Sequence, residues 1–268
     1  MTDHRFSRLY KFKPIDCYLD KMFNDNEIFF SGRLLLNDPN ESILRFAWQQ
    51  GFSRDGRREI EIFPLKPPVF SSVSNFYFFC MTKYANSIPM WGHYGDSHRG
   101  VCIEFNFDMA VQQWKSQPEK PWKIESDSGT VFIDEVRYQD ELDEFILAPD
   151  RSPNLTPDQT DNFGFHKMNC WRGEDEVRMR LSGTSDSTDE APPKGIGWRF
   201  DKRSLTGVYF GIRTEKDEKE RLWDLVTSSG YTCNFFEGCD IAKERDTFVV
   251  KFRKYERRCI DELRSIDD

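Results

Sequence analysis

The chain has 268 residues, with 38 Lys and Arg against 46 Asp and Glu, for a formal net charge of −8. Aromatic residues make up 15% of it, 24 of them Phe, an apolar load that excludes a disordered chain. No apolar run approaches the roughly 18 residues of a membrane span, and Met1 to Lys13 lacks the apolar segment of a secretory signal. A soluble, cytoplasmic protein with no membrane partner is expected.

In chain order, Pro14 to Asn24 puts Ile15, Tyr18, Leu19 and Met22 at helical spacing. Glu27 to Ser31 reads as a short strand and Leu36 to Asn40 as a turn. Ile43, Leu44, Ala47 and Trp48 predict a second helix, stopped by Gly51. Residues 52–72 mix charge with proline and predict irregular chain. Asn75 to Met81 is an apolar run of buried-strand length. Arg99 to Phe107 alternates, with Val101, Ile103, Phe105 and Phe107 on one side and Cys102, Glu104 and Asn106 on the other.

Thr130 to Tyr138 predicts another strand, residues 148–162 a loop, and Phe163 to Cys170 a short helix. From Glu174 to Leu181, Val177, Met179 and Leu181 alternate with Glu174, Glu176, Arg178 and Arg180, again a strand. Residues 182–194 are polar and simple in composition and predict a mobile loop. Val208 to Ile212 is a strand. Thr214 to Ser229 opens on a T-x-x-D start signal and closes at Gly230, so it predicts a helix with Leu222, Leu225 and Val226 inward. Thr247 to Phe252 is the last strand. Helices and strands mix without a regular βαβ alternation, which predicts an α+β fold.

Seven cysteines stand without a C-x-x-C pair, several of them in apolar runs. Buried or free thiols in a reducing compartment are the expectation. Four His, none at finger spacing from a Cys pair, predict no structural zinc.

Three constellations could carry chemistry. Met90 to Gly100 holds His93, Tyr94, Asp96 and His98 just before a strand. His93 could act as a base or orient a substrate. The alternatives are a turn whose Trp91 and Tyr94 pack on the core, or a metal site of His93, Asp96 and His98. In Trp171 to Arg178, a strand would put Glu174, Glu176 and Arg178 on one face, with the carboxylates about 7 Å apart. One carboxylate could stabilise a developing cation while the other accepts a proton; a solvated edge strand is the alternative. Near the start, Lys11 could meet a phosphate, Tyr10 could stack on a ring and Ser31 could hydrogen-bond a ribose. Each also reads as an ordinary surface, core or turn residue. Neither a Walker loop nor a G-x-G-x-x-G fingerprint is present.

These pieces together resemble the bacterial family catalogued as domain of unknown function 2971. The shared pattern runs in order through Leu9–Phe12, Phe30–Ser31, Asn37–Pro39, Met90–Tyr94, Gly100–Phe105, Trp171–Arg178 and Val208–Gly211. Gly173 departs from it, standing where an aromatic is usual. A second resemblance is to ADP-ribosyltransferase toxins of the DarT-like type. In those enzymes an early strand carries a basic or His residue, a second strand a Ser or Tyr, and a late strand a Glu-x-Glu, here Glu174 to Glu176.

That likeness implies a single α+β domain over 1–268, with a split, mostly antiparallel sheet flanked by helices. It also implies NAD as substrate, Glu176 and Glu174 as catalytic residues, and Tyr10, Lys11, Ser31, His93 and Tyr94 around the cofactor. A toxin or antiviral defence effector acting on nucleic acid or protein is the activity it suggests, with a neutralising antitoxin as partner. Two rivals remain: a metal-dependent nuclease using Glu104, His93 and the Glu pair, and a non-enzymatic binding module. Local basic stretches, Arg5 to Lys13 and Lys251 to Arg258, could track a phosphate backbone despite the net acidity.

Overall fold

The computed structural model describes residues 6–32, 35–38, 45–52, 58–64, 76–108, 111–112, 122–126, 129–140, 144–146, 164–182 and 194–257. Strand β1 (Leu9–Lys13) ends at Pro14, which has no N–H to give a ladder. Helix α1 (Cys17–Asp25) starts when Asp16 Oδ1 accepts the Leu19 N–H at 2.9 Å. It stops at Asn26, which adopts the left-handed φ of 54° that Asn tolerates. Strand β2 (Glu27–Gly32) follows directly.

Next come β3 (Arg45–Phe52) and β4 (Arg58–Pro64), antiparallel to each other with Arg45 opposite Pro64. The sequence pattern predicted a helix and then irregular chain there. Ladder pairing has overridden the local helical spacing, as it does for short apolar segments. Strand β5 (Phe76–Thr82) buries Phe76, Tyr77, Phe78, Phe79 and Met81, so both its faces are covered. Helix α2 (Ile88–His93) carries Pro89 in its first turn and leads to β6 (Val101–Phe105).

Strands β7 (Val111–Gln112), β8 (Trp122–Ser126) and β9 (Gly129–Glu135) form an antiparallel run. After them come β10 (Arg137–Gln139), β11 (Glu144–Ile146) and β12 (His166–Met168). β10 pairs in parallel with β12, and β11 in parallel with β3. The helix expected over Phe163 to Cys170 is thus β12 followed by a 3₁₀ turn, Asn169–Glu174.

Strands β13 (Glu176–Ser182), β14 (Gly195–Arg199) and β15 (Leu205–Phe210) lead to helix α3 (Lys216–Ser228). The chain closes with the long β16 (Asn234–Glu244) and β17 (Thr247–Lys254). Thr214 does not cap α3. Its hydroxyl donates instead to the Arg99 and Gly100 carbonyls. The predicted loop over 148–162 and most of that over 182–194 lie outside the described residues. The fold is α+β with a mostly antiparallel, mixed sheet and few helices. No helix among the described residues is long and apolar enough to cross a membrane.

Two compact units alternate along the chain. The first comprises residues 1–28, 81–109 and 199–268. Its strands run in the order β1, β6, β15, β16, β17, antiparallel except for β15 beside β16. Leu9, Ile103, Phe105, Val208 and Phe210 share one buried face by register and period. Rings link that face to its helices. Phe105 meets Phe200, Phe200 meets Tyr231, and Tyr231 meets Phe23 of α1, while Phe210 meets Phe235 and Phe235 meets Trp223 of α3. Each buried side chain of this size stabilises by about 1.5–3 kcal/mol. The opposite face holds Tyr10, Phe12, Cys102 and Val250 against Trp91 of α2.

The α2–β6 connection is built by backbone strain. Asp96, Ser97 and His98 all take left-handed φ values of 47°, 52° and 70°. Such residues cost of order 1–3 kcal/mol each unless their surroundings hold them. Here Asp96 is clasped by Arg99, His98 stacks on Trp91, and the His98 carbonyl accepts the Arg213 N–H at 2.9 Å. A Cβ at Gly211 would run into that same His98 carbonyl. Gly211→Ala is therefore expected to lower stability by about 1–3 kcal/mol, measured as a shift in the urea midpoint.

In the second unit, residues 29–80 and 110–198, β5 lies beside β2 and β13, β13 beside β9, and β14 beside β2. β13 is buried on both faces. Val177, Met179 and Leu181 are the apolar side, yet Glu176, Arg178 and Arg180 are buried too. Arg180 is sandwiched by rings, its guanidinium 4.5 Å from Phe76, 4.9 Å from Phe132 and 5.5 Å from Phe165.

Candidate functional site

Glu176 is the first residue of β13, and Glu174 is the last of the 3₁₀ turn before it. Asp175 between them adopts a left-handed φ of 44°. The two carboxylates therefore do not share a strand face, which corrects the alternation read from sequence. They are joined by Lys167 of β12 instead. Its Nζ donates to Glu174 Oε2 at 2.6 Å and to Glu176 Oε2 at 3.3 Å, and lies 4.9 Å from the Trp171 ring.

Glu176 is 4% exposed and Lys167 4%, against 12% for Glu174. Arg178, two residues along the same face of β13, donates Nε and Nη2 to Glu176 Oε1 at 2.8 and 2.7 Å, and Nη2 again to Oε2 at 2.8 Å. Arg178 Nη1 reaches the Gly164 carbonyl at 2.5 Å, and its guanidinium lies 5.2 Å from the Phe78 ring. The Glu176 backbone N–H donates to the Tyr138 hydroxyl at 2.8 Å.

Burial alone would raise the Glu176 carboxyl pKa. The charges of Arg178 and then Lys167 outweigh it and hold the pKa down at about 2. Glu176 is therefore ionised throughout the physiological range and committed to its own chain. Glu174 is the more exposed carboxylate of the pair.

The other sequence-predicted residues fall into two groups. Ser31 lies in the second unit on β2, opposite Phe78 of β5. Tyr10, Lys11, His93 and Tyr94 belong to the first unit. Tyr10 and Lys11 are successive on β1, so they project from opposite faces and cannot present one surface together. Tyr10 packs with Phe12 and Trp91, and its hydroxyl donates to Glu104 at 3.0 Å. His93 is exposed at the end of α2, its ring 6.3 Å from that of the half-buried Tyr94. Asp96 is paired with Arg99, and no three His, Cys, Asp or Glu are gathered as metal ligands among the described residues.

Lys11 and Lys13 share a face of β1. Burial first, and then the charge of Lys11, lower the Lys13 ammonium to about 8, with Asp16 opposing. At pH 8 Lys13 is expected to react with an amine-acylating reagent several-fold faster than ordinary lysines, read by peptide mass mapping.

In the basic stretch near the C-terminal end each described cation has a carboxylate partner, and Arg258 lies outside the described residues. Lys251 pairs with Glu244, Arg253 with Glu237, Lys254 with Glu256 and Arg257 with Asp224. Those cations are no ready-made track for phosphates. The described cysteines, Cys17, Cys80, Cys102, Cys170, Cys233 and Cys239, are free thiols.

A family model with the description "Protein of unknown function (DUF2971)" matches residues 90–179. Over those residues the chain resembles the DUF2971 family. The DUF2971 match begins inside α2 and ends inside β13, so it takes in Met90–Tyr94, Glu104, Lys167, Glu174 and Glu176. No curated protein and no solved structure matches the chain.

Sequence reasoning missed Lys167, Tyr138, Thr206 and Tyr209 as partners of carboxylates. Lys167 sat in a segment read as helix. Only the β10–β12 pairing, which sets Tyr138 opposite Lys167, brings both to the start of β13.

Proposed function

We propose that this protein is an NAD-dependent ADP-ribosyltransferase that modifies a macromolecular acceptor in the cytoplasm. The observation that carries the reading is the pair of carboxylates bridged by the buried Lys167, one 4% and the other 12% exposed. Glu176 opens β13, which neighbours β5, and β5 in turn neighbours β2 with Ser31. The Glu-x-Glu likeness to DarT-like toxins adds the expected chemistry, and the α+β fold is compatible with a split sheet of that type.

In this reading the bond from ribose C1′ to the nicotinamide nitrogen breaks, its electron pair leaves with nicotinamide, and C1′ develops oxocarbenium character. A carboxylate hydrogen-bonded to a ribose hydroxyl stabilises that charge. The acceptor nucleophile then bonds to C1′ and gives up its proton to solvent. Glu176 has both oxygens occupied by Arg178 and Lys167, so its part is to fix the position of Lys167. Lys167 in turn orients Glu174, and Glu174 is the group that meets the ligand. The motif alone gives the NAD chemistry to Glu176 and the acceptor to Glu174; in this reading Glu174 takes the NAD chemistry.

A toxin or antiviral defence role, with a neutralising partner protein, follows from the same likeness. The ion-paired residues 251–257 favour a protein acceptor over nucleic acid. Incubating the protein with adenylate-labelled NAD and cell extract tests the reading. A labelled macromolecule is the expected result; a folded protein that neither consumes NAD nor transfers label overturns it.

A further inference from the structure

A half-buried carboxylate of the first unit has no part in that transferase reading. On β6, Glu104 stands opposite Tyr10 of β1 and Gly207 of β15. The register of β15 slips between Leu205 and Gly207, so Thr206 is the extra residue of a β-bulge. Bulges of this kind re-aim a side chain. Here the Thr206 hydroxyl donates to Glu104 Oε1 at 2.7 Å, while Tyr10 and Tyr209 donate their hydroxyls to Oε2 at 3.0 and 2.7 Å.

All three donors are neutral. Burial first, and then Glu104 itself, push both phenols far above their ordinary pKa, so they remain protonated. Among the described residues no Lys, Arg or His forms an ion pair with Glu104, whereas Glu174, Glu176, Glu237 and Glu244 each have a cation. The exposed Arg8 is near enough for its charge to act on Tyr10.

Beside the carboxylate lies an aromatic surface. The Tyr209 ring stacks on Phe236 at 4.5 Å with planes 19° apart, and meets Phe252 edge-on at 5.1 Å. Glu104, Thr206, Tyr209, Phe236 and Phe252 all remain partly exposed. At Gly207 a side chain would press on the Tyr209 ring at 3.1 Å and on Glu104 Cβ at 3.3 Å, so glycine keeps this corner clear.

We infer that this face of the first unit binds a planar organic cation, a guanidinium or a pyridinium, with its charge at Glu104 and its plane against the exposed part of Phe236. Among the described residues Glu104 is held by neutral hydroxyls, so an arriving cation has no internal ion pair to displace, and aromatic rings attract cations. A divalent metal fits poorly, since it seeks six or more oxygens with several carboxylates among them. A compact, strongly hydrated ammonium gains less from a ring face than a planar, weakly hydrated cation does.

The test is calorimetric titration of the full chain at low salt with methylguanidinium and, separately, with 1-methylnicotinamide. At least one probe should bind with a Kd of roughly 1 mM, and the probe that binds names the source of the cation. Affinity should fall tenfold or more in Glu104→Gln and remain unchanged in the surface variant Glu244→Gln. Phe236→Ala, which removes the stacked ring and leaves the carboxylate cage, should also lose binding, so the inference stays testable if Glu104→Gln does not fold. Neither probe binding at about ten times that concentration, or equal binding by wild type and the Glu104 and Phe236 variants, overturns it.

Discussion

Glu176→Gln is expected to destabilise the protein by about 3–5 kcal/mol, the cost of taking the shared anion out of a buried ion-pair network. Arg178 is fully buried and loses its tightest anionic contact, while Lys167 keeps its shorter bond to Glu174. Thermal melting should drop by roughly 10 °C. Glutamine keeps the shape and can still accept from Arg178, so the loss reports charge and not cavity formation.

The sign with pH follows from the depressed carboxyl. A group whose pKa is about 4.5 when unfolded and about 2 when folded contributes stability above pH 4.5 and loses it as pH falls toward 2. The stability gap between wild type and Glu176→Gln, measured by urea unfolding, should therefore be full at pH 7 and shrink steadily between pH 4.5 and pH 2. A gap that is independent of pH would mean that the ion pairs are not its origin.

Much of this architecture was legible in sequence where one physical signal acted alone. The alternation of Val101, Ile103 and Phe105 located β6, and the apolar run at Phe76 located β5. The spacing of Leu19 and Met22 located α1, though not its limits, which the Asp16 and Asn26 caps set at Cys17 and Asp25. Elsewhere the period was right and its meaning was not. Glu176, Arg178 and Arg180 alternate like a solvated face, but β13 is covered on both sides. The charges are stored there by ion pairing and by ring stacking, which depend on residues distant in sequence. Ile43 to Trp48 has helical spacing, yet its residues from Arg45 onward pair with β4 and β11. β16 was missed because Gly238 and a run of charged residues break its alternation.

The candidate site was legible as a motif and not as a geometry. Glu174 and Glu176 were found from their spacing alone. Nothing local announces that Asp175 turns left-handed, or that Lys167 comes from a separate strand to bridge them. The hydroxyl cage around Glu104 was hidden for the same reason, because β1, β6 and the β15 bulge supply its parts.

Glu174→Gln is expected to have the largest effect on activity and a small one on stability. Lys167 keeps Glu176 as its counter-charge, so the stability cost should be about 1–2 kcal/mol. Removing the carboxylate that the proposal sets against a developing oxocarbenium should slow NAD cleavage by about 100- to 1,000-fold, as loss of a well-placed electrostatic group does. Both nicotinamide release and target labelling should fall together, because the affected step precedes acceptor attack. Loss of labelling with intact nicotinamide release would instead assign Glu174 to the acceptor.

The most direct measurement compares wild type and Glu174→Gln, both confirmed folded by their melting curves, in nicotinamide release and label transfer from NAD in cell extract. Wild type should release nicotinamide and label a macromolecule, with both signals reduced by about two orders of magnitude or more in Glu174→Gln. Equal rates in the two proteins, or no NAD turnover by wild type, would contradict a transferase built on this carboxylate pair.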